Sequence, residues 1–308
     1  MLRRNWRMFS VVRNVGKMSE IGQRLGSVLE KVRSAGRERP QELQYSVPRL
    51  VAVSKTKPVK DIIEAYHAGQ RVFGENYVNE LVEKAMDPKL LELCPDIRWH
   101  FIGRLQRNKV SKVARLAALS MVETLDSPRL ADALNAAREK ADLDPLGVMV
   151  QVNTSGEQSK GGVQAVEVAS LVRHVQQQCP ALVLTGLMTI GAYNHDMAIG
   201  PNPDFERLLR CREEVCKELD LSPRHMELSM GMSADYEHAI LVGSTNVRVG
   251  SEIFGVRQYK GTSSSAEPAA PTPGPAGVDA LPPAGPADGA AGAAAGTQSA
   301  QARLSAVQ

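Results

Sequence analysis

Eight short runs of apolar and β-branched residues recur along the middle of the chain, at positions 50–54, 71–74, 99–103, 121–124, 148–153, 184–190, 227–230 and 246–249. Each is strand length, and most are followed by helical periodicity, as in "DIIEAYHAG", "YVNELVEKAM", "PRLADALNAAREKA", "VEVASLVRHVQQQ" and "DFERLLRCREEVCKEL". Several of these helices open on Pro, Ser or Asp. Alternating β and α elements predict a parallel sheet with right-handed crossovers. Eight strands favour a closed (β/α)8 TIM-type barrel over an open doubly wound sheet. An open sheet for a dinucleotide would also carry GxGxxG after its first strand, and the chain has no GxG at all. Little follows the eighth strand, so the amphipathic segment "SEIGQRLGSVLEKVRSA" before the first strand is expected to cover that side of the barrel.

Composition divides the 308 residues into three parts. From Gly261 the chain is rich in Ala, Pro and Gly and lacks aromatic residues and Ile, so residues 261–308 are expected to be a disordered tail. Residues 1–17, "MLRRNWRMFSVVRNVGK", hold five cations and no acid, a composition shared by mitochondrial targeting segments, by an extension before an alternative start at Met18 and by a disordered basic arm. Residues 18–260 are left as the barrel. The net charge is +3, but without the first 17 residues it is −2, too acidic for nucleic-acid binding by bulk charge. No apolar run approaches the roughly 18 residues of a membrane span. Cys94, Cys179, Cys211 and Cys216 form no CxxC or Cys/His pattern and read as reduced thiols in a cytoplasmic or mitochondrial compartment.

In such barrels the chemistry sits at the C-terminal ends of the strands. The first strand runs into "SKTKP", where Lys55 and Lys57 are both candidates for an amine whose pKa burial would lower, making it a nucleophile toward aldehydes. Strand parity does not separate the two. "SMGMS" and "RVGS" follow the seventh and eighth strands, where barrels often hold phosphate on loop amides: Ser233, Gly250 and Ser251 suit an anion, with Arg248 beside them. His100 is expected to be a hydrogen-bonded core residue, and His67, His174 and His238 to lie on solvated helix faces. No metal-ligand spacing occurs.

The motifs "AVSKTKP", "FGENYVNE", "WHFIGRLQRNK", "TGLMTIG", "LSMGMSADYEHAI" and "STNVRVGSEIFG" resemble, in order across residues 48–257, the pyridoxal phosphate homeostasis protein family, also called proline synthase co-transcribed homologues. The resemblance implies a single barrel like the N-terminal domain of alanine racemase, binding pyridoxal 5′-phosphate. It implies that Lys55 forms the internal aldimine and that Asn76 lies beside the cofactor. Ser233, Gly250 and Ser251 would hold the phosphate, and Arg248 would face the pyridine nitrogen. A guanidinium there disfavours ring protonation and makes a poor electron sink.

The expected function is therefore a non-catalytic, monomeric carrier that stores the cofactor and passes it to apo-enzymes through transient contacts, in vitamin B6 homeostasis. An open cavity edge, reachable by amines and thiols, is part of that expectation. Two alternatives stay open: a weak amino-acid racemase of the alanine racemase type, and a Schiff-base aldolase acting on a phosphorylated sugar.

Overall fold

The structure is a computed structural model that describes residues 19–192, 195, 200 and 202–256; the basic segment 1–17 and the tail 261–308 lie outside them. The eight strands are β1 (Arg49–Val53), β2 (Val72–Glu75), β3 (Arg98–Phe101), β4 (Leu119–Leu125), β5 (Leu146–Gln151), β6 (Leu182–Met188), β7 (Glu227–Met232) and β8 (Asn246–Val249). Every neighbouring pair is parallel, and β1 pairs with both β2 and β8, so the sheet closes in sequence order. In the closing register Val51 lies opposite Arg248 and Ala52 opposite Val249. All eight sequence-derived strands are present, with ends shifted by at most two residues at either side.

The helices are α1 (Glu20–Glu38), α2 (Val59–His67), α3 (Val78–Ala85), α4 (Pro88–Leu93), α5 (Val110–Ala114), α6 (Pro128–Lys140), α7 (Ala165–Gln178), α8 (Pro203–Glu218), α9 (Tyr236–Val242) and α10 (Ser251–Phe254). Three of them start alike: Asp87, Ser127 and Asn202 accept a first-turn amide through the side chain, and proline follows at the first helical position. That pairing satisfies an otherwise orphaned donor and needs no amide from the proline.

A two-residue alternation in the strands separates two cores. Outward residues such as Leu50, Ala52, Phe73 and Trp99 pack against the helices, while Met121, Met149 and Met188 form an apolar layer of their own. Helix α1 begins at Ser19, whose hydroxyl accepts the Gly22 amide at 3.1 Å. It buries Leu25, Val28, Val32 and Ala35 on one stripe, packed against α2, α9 and α10. It thus takes the place of the full-length helix that α10, one turn long, does not supply. No helix among the described residues is long and apolar enough to cross a membrane.

Candidate functional site

Lys55, Asn76, Ser233, Arg248, Gly250 and Ser251 all line one cavity of about 210 Å3 at the C-terminal ends of the strands, together with Lys57. Its apolar wall comes from Val53, Ile102, Met188, Ile190 and Met232. Six of the eight strands thus send a residue to it from their ends.

The turn carrying Lys55 is fixed from below. Strand β1 stops at Val53, and the Ser54 amide donates to Gly74 O at 3.0 Å. The buried Ser54 hydroxyl donates to Glu75 Oε1 at 2.7 Å. The Lys84 ammonium, also buried, donates to Ser54 O, Glu75 Oε1 and Glu80 Oε1 at 2.8, 2.7 and 2.6 Å. Burial raises the Glu75 pKa despite these partners. Thr56 takes a left-handed φ of 64°, and its amide donates to Glu80 Oε1 at 2.6 Å. The strand parity that left Lys55 and Lys57 equivalent is broken at this residue. Lys55 stays half-buried on the cavity wall. The Lys57 ammonium is directed at the carbonyls of Phe254, Gly255 and Val256, at 2.9, 3.0 and 3.1 Å.

Across the cavity Arg248 is almost fully buried, and its guanidinium donates to Ser229 Oγ and, at 2.8 Å, to Thr189 O. Beneath it lies a polar network inside the barrel. Glu123, wholly buried, accepts from Ser229 Oγ, faces His100 Nδ1 at 2.6 Å and accepts from Asn246 Nδ2 at 3.1 Å. Burial works to raise the Glu123 pKa, but the His100 hydrogen bond and charge, the Arg248 charge and the Ser229 hydroxyl together hold it below the ordinary carboxylate range. His100 is therefore the hydrogen-bonded core residue that the sequence suggests. Glu123, Ser229 and Asn246 are missing from the sequence reading. The signal for one of them is present, since a carboxylate inside the apolar run "MVETL" must find buried partners.

The third side is built by close backbone approach. A Cβ on Gly250 would sit 3.1 Å from Val53 O, so glycine lets the end of β8 come down onto β1. The Gly250 amide donates to Ser233 Oγ at 3.2 Å, which brings the ends of β7 and β8 together. Ser251 opens α10, where a helix has no internal acceptor for its first amides. On the opposite wall, a Cβ on Gly103 would fall 1.9 Å from Asn76 O, which holds the Asn76 loop against β3. Asn76 Oδ1 is buried with no hydrogen-bond partner.

Outside the cavity, His238 corrects the expectation of a solvated face. It is half-buried, its Nε2 accepts the Asn202 amide at 3.2 Å, and burial lowers its pKa. All four cysteines are buried and unpaired. Burial pushes the Cys179 thiol up to about 11 and Cys211 up to about 12, so neither is a nucleophile at neutral pH.

A primary amine, a buried guanidinium and a hydroxyl–amide group around one small cavity, at the mouth of a barrel with no covering domain among the described residues, define a class. It is the barrel of the family described as "Alanine racemase, N-terminal domain", whose model matches residues 34–258. Within that class, the pyridoxal phosphate homeostasis protein of Bos taurus is 54% identical over 255 residues, covering 82% of this chain and 92% of its own. The Homo sapiens protein of the same name is 53% identical, covering 82% and 91%. The chain belongs to the pyridoxal phosphate homeostasis protein family. Among solved structures, PipY of Synechococcus elongatus with pyridoxal phosphate bound is 29% identical, with a TM-score of 0.61, covering 77% of this chain and all of PipY.

Proposed function

We propose that this chain binds pyridoxal 5′-phosphate in the cavity at the barrel mouth, holds it through Lys55 and yields it to enzymes that require it, with little turnover of its own. The observation that carries this reading is the meeting of all six residues in one cavity of about 210 Å3. The donor set fits the cofactor at each end. When bound, the cofactor supplies an aldehyde that condenses reversibly with a primary amine. Lys55 offers that amine from the cavity wall, and the Lys57 ammonium donates to three carbonyls of residues 254–256. Ser233 and the Gly250–Ser251 amides suit phosphate oxygens, and a Cβ at Gly250 would stand 3.1 Å from Val53 O, so a side chain there would push β1 and β8 apart by a few tenths of an ångström. The orphaned Asn76 Oδ1 gains a partner if a ligand hydroxyl or N–H lies beside it.

Arg248 lines the cavity with a permanently charged guanidinium that would face a ring nitrogen of the cofactor and would keep it an acceptor. A ring held so would withdraw electrons weakly, which favours storage over turnover. The four buried, unpaired thiols fit a reducing compartment, the cytoplasm or the mitochondrion. The barrel works as one unit within residues 18–260, as a monomer, and meets recipient apo-enzymes only transiently.

The test is the visible absorbance of the purified chain after incubation with pyridoxal phosphate. A band that appears in the parent and in Lys57→Ala, and is lost in Lys55→Ala, supports the assignment. A parent that carries no pyridoxal phosphate by mass spectrometry defeats it. Chiral analysis after incubation with L-alanine then separates a carrier, which leaves the L-isomer unchanged, from a racemase.

A further inference from the structure

On the outer ring of helices, away from the residues of the cavity, three side chains with different donor atoms converge on one point. Asp132 lies on α6, His174 on α7, and Cys179 caps the C-terminus of α7. His174 Nε2 is 2.6 Å from Asp132 Oδ1, and Cys179 Sγ is 4.0 Å from the same oxygen. The three ligand atoms all lie within 4.8 Å of one another.

Their backbones are held in place. The Cys179 amide donates to Val175 O at 3.2 Å, and the Leu182 amide returns to Cys179 O at 2.9 Å. The buried Asn135, one turn beyond Asp132 on α6, accepts the Ala181 amide at 2.8 Å. The turn after α7 is thus bolted to α6, with the thiol buried and the histidine and carboxylate reaching it from the solvent side. A histidine on a solvated helix face, as the sequence suggests for His174, needs none of this.

We propose that Asp132, His174 and Cys179 form a binding site for a borderline-soft divalent cation, zinc above all, that clips α6 to α7. One sulfur, one imidazole nitrogen and one carboxylate oxygen are the donor types that zinc takes, and three protein ligands leave a fourth position for water. Tetrahedral coordination at about 2.0–2.3 Å per ligand asks each separation to change by a fraction of an ångström to about one ångström. The exposed Asp132 and half-buried His174 side chains can make that adjustment. Coordination takes the Cys179 sulfur as thiolate, so its proton passes to solvent as the metal enters.

The experiment uses the full, untagged chain, reduced and stripped of metal, and then titrated with cobalt(II) or zinc chloride. Cobalt(II) should give a sulfur-to-metal charge-transfer band at one equivalent. That band should vanish in Cys179→Ser and persist in Cys211→Ser. His174→Ala should weaken zinc binding by more than the roughly 10–100-fold that loss of an outer-shell group costs. Thermal melting of the parent should rise with zinc, and that of His174→Ala should not. Absence of the cobalt band in the folded parent, or its survival in Cys179→Ser, overturns the site. Because none of these readings involves pyridoxal phosphate, they stand apart from the cavity assignment.

Discussion

Two lysines two residues apart do different work because Thr56 between them takes a left-handed turn. Both line the cavity, and Lys57 also donates to the carbonyls of Phe254, Gly255 and Val256. Arg248→Gln should keep the barrel folded, since Gln retains a donor toward Ser229 or Thr189, but should weaken pyridoxal phosphate binding by about 10-fold or more. The basis is the ~1.5–3 kcal/mol typical of a hydrogen bond to a charged group. Equilibrium dialysis reads the affinity and circular dichroism the fold; unfolding of the variant would show that Arg248 belongs to the core instead. Glu123 makes the converse prediction. Its folded pKa is lowered, so it contributes stability above the ordinary value of 4.5, and that contribution is lost as pH falls through the folded value. Glu123→Gln should therefore cost ~3–5 kcal/mol near neutral pH, as breaking a buried charge pair does. The gap from the parent should narrow in urea unfolding as the pH is taken below 4.5. A gap independent of pH would mean that the network is held by shape and not by charge.

At the scale of elements, α1 closes the barrel wall where α10 is too short to do so. Leu25→Ala, at a wholly buried position, should cost ~2–5 kcal/mol in denaturant unfolding. Val166→Ala on α7, where the side chain is 90% exposed, should stay within ~0.5 kcal/mol. Equal effects would show that α1 is only loosely attached. The role of α1 was legible, because its apolar stripe precedes a pattern that lacks a final helix. The eight strands were legible too, since strands buried on both faces read as short apolar runs. What the sequence hid was short or internal. Helices α4, α5, α9 and α10 run from four to seven residues, below the length at which periodicity separates helix from turn. Five of the six cavity residues could be named from the strand ends, with the place of Asn76 and the choice of Lys55 over Lys57 added by resemblance, but the Glu75–Lys84–Ser54 brace under Lys55 could not. It joins residues 30 positions apart, and nothing local marks such a pairing.

For the whole molecule, the decisive property is that the cavity opens at the mouth of the barrel with no covering domain among the described residues. Small amines such as hydroxylamine should therefore discharge bound cofactor without denaturant, visible as loss of the absorbance band at a rate that rises with amine concentration. A rate that saturates early, or release only after unfolding, would show that the pocket must open first. The Lys57 clamp has one more consequence, a practical one. It pins Val256 at the rim, beside Gly255 of the cavity wall, so a fluorophore attached at position 256 would sit within quenching distance of the ring. The fold thus comes with an attachment point for an optical sensor of cofactor loading, one that touches no residue assigned to holding the cofactor.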